Sequence, residues 1–180
     1  TGPHVLTELL RFGALTATET VLEIGGGTAN YLTASVQETG ATGLGVDPAA
    51  NMIAQAADLD ARYMRQLQVG SAEELPITDD SVDFAFMVDV VHVIGNLDQM
   101  AAEALRVLRP GGKFAIATDS EEDIRGTIPL RTYFPETVHV EWQRYPSMDH
   151  LTSVLGQVGF AEIALVPVRR DYELTDISMY

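Results

Sequence analysis

From Val21 onward, apolar runs too short for helices alternate with segments of helical period, and that rhythm leaves few folds open. The stretches "TVLEIG" (20–25), "TGLGVD" (42–47), "LQVG" (67–70), "DFAFMV" (83–88) and "KFAIAT" (113–118) read as buried strands. Between them, "NYLTASVQETG" (30–40) keeps helical spacing through Leu32 and Val36 until Gly40 stops it. "AANMIAQAADLDARYM" (49–64) is helical in composition. The clearest helix is "NLDQMAAEALRVLRPGG" (96–112). Asn96 or Asp98 caps it, Leu97, Met100, Ala101, Ala104, Leu105 and Leu108 face inward, and Pro110-Gly111-Gly112 ends it. Strands that alternate with helices in this way build a parallel sheet covered on both faces. The expected fold is therefore α/β, Rossmann-like and doubly wound, with ligand chemistry beyond the carboxyl ends of the strands.

The flanks add less. A leading helix precedes the first strand, with Val5, Leu6, Leu9 and Leu10 on one face and an end near Gly13. "MDHLTSVLGQVGF" (148–160) reads as a late helix and "AEIALVPV" (161–168) as a strand. The final "DYELTDISMY" (171–180) alternates weakly through Tyr172, Leu174 and Ile177. Residues from about Ser120 to Pro146 show no clean period. With 180 residues the chain is expected to be one domain: a leading helix (1–20), a ligand-binding core (21–118) and a closing segment (119–180).

Charge narrows the partners. There are 26 acids against 11 bases, a net charge of −15, and Lys113 is the only lysine. Such a surface repels phosphate backbones and acidic membranes, so neither nucleic acid nor a membrane is an expected partner. A small molecule is. The absence of cysteine removes disulfides, thiolate metal sites and thiol nucleophiles within this sequence, and no metal-ligand set is expected. No basic-then-apolar leader is visible, and the cytoplasm is the default expectation.

The first strand runs into "VLEIGGGTAN", where Glu23 is followed by Gly25, Gly26 and Gly27. A dinucleotide fingerprint wants Gly-x-Gly-x-x-Gly, but the third position here is Asn30. Glu23 would also face a bound pyrophosphate, which favours a ligand carrying an amino group, a cation or hydroxyls instead. An oxidoreductase using a nicotinamide is the weaker reading. The bland alternatives are that Glu23 is a plain surface acid at a strand end and Asp47 a helix cap ahead of Pro48, a role compatible with ligand binding.

These residues resemble the class I S-adenosylmethionine-dependent methyltransferases, near the type 11 group that includes enzymes of ubiquinone and menaquinone biosynthesis. "VLEIGGGTA" is similar to the family's first motif, with Ala29 replacing its last glycine. "GVDPAANMI", "GSAEELPITDDSVDFAF" and "LRVLRPGGKFAIA" follow in the family's order, so the likeness covers roughly Val21 to Thr118. It implies a seven-stranded sheet whose last strand is antiparallel. It also implies S-adenosylmethionine as cofactor, S-adenosylhomocysteine as product and a methylated small-molecule acceptor.

By the same resemblance Glu23, Gly25, Gly26 and Gly27 support the methionine end, Asp47 and Pro48 the ribose, and Met52, Ser71, Ala72 and Glu73 the adenine. Met87 and Val88 fall where the fourth strand delivers methionine-side contacts. Ser71 replaces the usual aspartate, which weakens that contact. Met52 could instead be core, and Glu73 solvated. Methyl transfer from a sulfonium needs a base only when the acceptor keeps a proton. His92, just past the fourth strand, is the candidate base; its alternative is a histidine held by nearby backbone. Asp89 is a second candidate. His139, Trp142, Tyr145 and His150 could line an acceptor pocket or pack a lid. The short leading segment predicts an abbreviated lid and an open acceptor side, completed by a partner subunit such as a second copy of the chain, or by further chain.

Overall fold

The computed structural model describes residues 3–59, 67–126, 132–133 and 135–168. Its centre is a five-stranded parallel sheet of β1 (Thr20–Ile24), β2 (Thr42–Asp47), β3 (Leu67–Val69), β4 (Val82–Val88) and β5 (Leu108–Ala117). The strand order is β3-β2-β1-β4-β5, so the direction of winding reverses between β1 and β4. Among the described residues, the α-helices beside it are α1 (Pro3–Gly13), α2 (Asn30–Thr39), α3 (Ala50–Leu59), α4 (Leu97–Val107), α5 (Glu121–Gly126), α6 (Pro135–Arg144) and α7 (Met148–Val158). None is long and apolar enough to cross a membrane.

The pleat of β4 shows why the sheet is covered twice. Phe84 and Phe86 project into one core with Val5, Leu9, Val21 and Leu32, drawn from α1, β1 and α2. Ala85 and Met87 project the other way, among Leu22, Ile24, Met100 and Val107. Successive residues of a strand point to opposite faces, so a strand buried on both must be apolar throughout. Lys113, the sole lysine, donates through Nζ to the Phe12 carbonyl at the end of α1 (2.8 Å). A cation there meets the negative end of the helix dipole and ties α1 to β5.

Several sequence expectations need correction. Helix α4 ends at Val107 rather than at the Pro110-Gly111-Gly112 turn; Leu108 already starts β5, opposite Val82. Proline bars the helical conformation to the residue before it, so the break propagates backwards. Leu105, expected inward, lies at the surface. Asn96 is the α4 cap, its Oδ1 accepting from the Gln99 N–H (3.1 Å). In the segment after β5, which showed no clean period, residues 121–126 and 135–144 form α5 and α6, joined by Trp142 Nε1 donating to Glu121 Oε1 (3.2 Å) and by Arg125 lying 4.1 Å over the Trp142 ring. Residues 161–168, expected as a sixth strand, pair with nothing in the described sheet, and Ile163, Leu165 and Val166 are exposed. A strand is stable only when its backbone groups find a ladder. The expected strand within 171–180 lies outside the described residues, as does the end of the 49–64 helix.

Candidate functional site

Parallel pairing aligns the strand ends. Glu23 stands opposite Gly45 on one side and Phe86 on the other, and Ile24 opposite Val46. The loops that follow β1, β2 and β4 therefore leave the sheet at one level. The loop after β3 joins them, because the Gly70 N–H donates to the Asp47 carbonyl (3.2 Å). Together they enclose a cleft with about 380 Å³ of unfilled space, lined by Gly25, Pro48, Gly70, Ser71, Ala72, Glu73, Val90, Val93 and Ile94. A second groove lies on the other side of Asp47, against Gly26, Gly27, Ala29 and Ile53. The main cleft includes the β1 and β4 loops, between which the winding reverses, and this is where open α/β sheets bind ligands.

The glycine loop is held from below. Gly25 adopts φ 72° and donates its N–H to the Val46 carbonyl (2.7 Å). A side chain there would be strained, and its Cβ would lie 2.6 Å from a Val90 methyl. Gly25 therefore makes room for the protein's own β4 loop as well as for anything in the cleft. Gly27 adopts φ 54° and donates to Asp47 Oδ2 (2.8 Å), while Oδ1 accepts from the Ala49 N–H (2.8 Å). One carboxylate thus caps the start of α3 and pins the glycine loop. Each oxygen keeps a further lone pair for a ligand hydroxyl. Met52 lies over the same loop, its Cε 3.4 Å from where a Gly27 Cβ would stand.

Glu23 is not a surface acid. It is 3% exposed, and its carboxyl lies 2.9 Å from where a Gly26 Cβ would stand. Its Oε2 accepts from the Leu32 N–H in the first turn of α2 (3.0 Å). Ala29, the residue before that helix, has φ 57° and no side chain able to cap, so Glu23 supplies the cap from the neighbouring strand. Burial pushes its carboxyl up to about 8, opposed by the Leu32 hydrogen bond and reinforced by the negative charge of Asp47.

The strand ends and the four loops that line the cleft answer to a known family. Residues 22–116 match the methyltransferase domain family. This chain belongs to that family. It is 30% identical over 169 residues to an arsenite methyltransferase of Halobacterium salinarum, spanning 87% of this chain and 41% of the relative. It is 32% identical over 102 residues to a demethylmenaquinone methyltransferase of Tropheryma whipplei, spanning 57% of this chain and 42% of the relative. The chain thus spans less than half the length of these curated relatives. Among solved structures it resembles a phosphoethanolamine N-methyltransferase of Haemonchus contortus in complex with S-adenosyl-L-methionine: TM-score 0.68, 25% identity, 87% of this chain and 36% of that one.

For a methyltransferase domain, the placement of the singled-out residues is uneven. Gly25, Pro48, Ser71, Ala72 and Glu73 line the main cleft, and Gly26, Gly27 and Asp47 the adjoining groove. Ala72 is itself buried. Glu73 is not simply solvated: its Oε1 accepts from the Gly95 N–H (3.0 Å) and links the β3 and β4 loops. Met87 is fully buried in the core, because the pleat turns its side chain away from the cleft. Val88 packs against the opposite core. Their apolar place at the cleft is taken by Val90, Val93 and Ile94, which sequence reasoning missed; "VVHVIG" carries the signal, a run too apolar for an exposed loop. Asp89 sits at φ 55° and donates its N–H to the Ala117 carbonyl (2.9 Å).

His92 occupies the 3-10 turn Val91–Val93, half-buried, with its ring stacked on Tyr145 (centroids 4.5 Å apart, planes at 18°). Its Nδ1 is buried and has no hydrogen-bond partner among the described residues. No backbone group among the described residues holds that nitrogen. Tyr145 follows α6, so the closing segment reaches the β4 loop. His139 and Trp142 remain together on α6, their rings 6.1 Å apart, and His150 lies exposed on α7.

Proposed function

We propose that this domain transfers a methyl group from S-adenosylmethionine to a small-molecule acceptor. The observation that carries the reading is the Asp47 carboxylate, fixed between the glycine loop and the start of α3, next to Pro48 in the lining of the main cleft. A carboxylate whose two oxygens are already aimed by backbone N–H groups can accept a pair of vicinal hydroxyls without reorganising. Val90, Val93 and Ile94 offer an apolar wall and Ser71 a hydroxyl, which suits a flat nitrogenous base beside that diol. Glu23, beneath the loop, supplies negative charge for an ammonium once it ionises.

When bound, the cofactor supplies a methyl group on an already activated sulfonium. The chain's own task is then to align the acceptor and exclude water. His92, past the end of β4, is the group we assign to receive a proton from an acceptor that carries one. A thiol-dependent acceptor step, as in arsenic chemistry, would have to draw its cysteines from outside these 180 residues, which contain none.

Calorimetric titration with S-adenosylmethionine, S-adenosylhomocysteine and NAD tests the cofactor. Binding of the first two and not the third is expected; binding of NAD alone overturns the reading. Release of S-adenosylhomocysteine in the presence of phenol, quinol and amine acceptors then reads out turnover, and bound cofactor without release in any of them would leave a binding module rather than an enzyme.

A further inference from the structure

Building on the methyltransferase reading, we infer that Tyr145 is a positioning residue for His92, locking the imidazole so that its buried Nδ1 stays a bare hydrogen-bond acceptor. Three observations converge on it. The turn that carries His92 is itself rigid: the Val93 N–H donates to the Val90 carbonyl (2.9 Å), the Ile94 N–H to the Val91 carbonyl (3.3 Å), and Val91 is buried. The ring lies nearly parallel to Tyr145, a stacked contact at 4.5 Å. Its Nδ1 is buried with no partner among the described residues.

The unpartnered nitrogen decides the tautomer. A buried N–H with no acceptor is rarer in proteins than a buried lone pair with no donor, because the lost hydrogen bond of the donor is the harder to replace. The proton of the neutral ring therefore sits on Nε2, and Nδ1 keeps its lone pair. That is the form in which a histidine can take a hydrogen bond, and then a proton, from an O–H or N–H of an acceptor. A ring free to turn about χ2 would exchange Nδ1 for a carbon. Turning requires the imidazole to sweep through the volume that Tyr145 fills.

Tyr145 is in turn well seated. It directly follows α6, which is clamped to α5 by the Trp142–Glu121 hydrogen bond and by Arg125 over the Trp142 ring. A side chain serving only to cover the β4 loop would be replaceable by any apolar group of similar bulk. A positioning role needs the flat ring, and does not need the hydroxyl.

The test is the imidazole 15N spectrum of the whole 180-residue chain, labelled at histidine and recorded under alkaline conditions where the neutral ring is observed. His92 is assigned by the signals lost in His92→Gln. In the unaltered protein Nδ1 should appear as the unprotonated nitrogen and Nε2 as the protonated one. Tyr145→Phe should keep that pattern. Tyr145→Leu and Tyr145→Met should shift both nitrogens toward the averaged values of two exchanging tautomers, while the dissociation constant for S-adenosylmethionine stays within about twofold. A proton on Nδ1 in the unaltered protein would overturn the inference, whatever the variants do. So would a single fixed tautomer in whichever of the leucine and methionine variants folds. Failure of the unaltered protein to bind S-adenosylmethionine would sink the methyltransferase reading and leave the tautomer result standing.

Discussion

Replacing Glu23 by glutamine should remove a large component of the protein's stability dependence on pH. Burial dominates the carboxyl's environment and carries it from 4.5 to about 8, against the opposing pull of the Leu32 hydrogen bond and with a smaller push from Asp47. The unfolded chain releases this proton near the ordinary value, so between the two the folded state alone keeps it. The group's contribution is therefore complete below pH 4.5 and is lost as pH rises through about 8. At about 1.4 kcal/mol per pH unit, that interval corresponds to roughly 5 kcal/mol, comparable to the whole stability of a marginal domain. Glutamine is nearly isosteric, and its Oε1 can still accept from the Leu32 N–H, so the fold should survive. Urea unfolding of both proteins from about pH 5 to about pH 9 gives the comparison, since every other titrating group is shared and cancels in the difference. The unaltered protein should lose several kcal/mol more than Glu23→Gln across that range. Parallel profiles would refute the argument, placing the carboxyl in contact with water or with a cation. S-adenosylmethionine, if its ammonium approaches this carboxyl, should restore stability most strongly at the alkaline end and bind with release of a proton.

Asp47→Ala removes both backbone contacts and the proposed diol grip; calorimetry should show S-adenosylmethionine binding weakened by about 2 kcal/mol or more, and unchanged affinity would reduce Asp47 to a cap. Gly27→Ala should fold, because its Cβ meets nothing nearer than the flexible end of Met52, at a cost of about 1 kcal/mol for the left-handed backbone. Its methyl would project into the groove beside Asp47, so cofactor affinity should fall by more than stability does, and equal affinity would move the ligand elsewhere. Arg106→Ala should destabilise by about 2–3 kcal/mol without touching the cleft, since Arg106 donates to the Ile77 and Leu75 carbonyls and pairs with Glu103. Its readout is the denaturation midpoint alongside an unaltered cofactor titration.

What the sequence revealed and what it hid follow one division. Strands, helices and the glycine loop depend on periodicity and on local backbone demands, which neighbouring residues state directly. The same holds for Asp47, whose place between a strand and Pro48 marks a strand end and a cap at once. Hidden were roles set by contacts across the chain. Nothing near Ala29 announces that α2 lacks its own cap, and only the β1–α2 geometry assigns that task to Glu23. Likewise Met87 sits in the right stretch of sequence, but a period-two strand sends it to the core, and one or two residues decide which side chains line the cleft. Residues 161–168 are of the same kind: their apolar run is a strand's, but a strand also needs a partner ladder, which no local pattern encodes and the described residues do not supply.

That division also orders how the site can change. The cofactor half is made of loops leaving adjacent strands at a common level, so its geometry is fixed by the β1–β2 and β1–β4 registers. A slip of one residue would send every strand side chain into the opposite core and shift the loops off their common level, which makes these registers costly to alter. The proposed acceptor half would depend instead on α5, α6 and the reach of Tyr145 back to His92, through a few side-chain contacts between elements distant in sequence. Those contacts can be lost singly without unseating the sheet. A change in the acceptor should therefore enter through Trp142 and Tyr145, where the protein can vary its surface while Asp47 and the glycine loop keep their proposed hold on the cofactor. Substitutions there should alter which molecule is methylated before they alter whether S-adenosylmethionine binds, and a cofactor affinity that fell in step with acceptor choice would show that the two halves are not built separately.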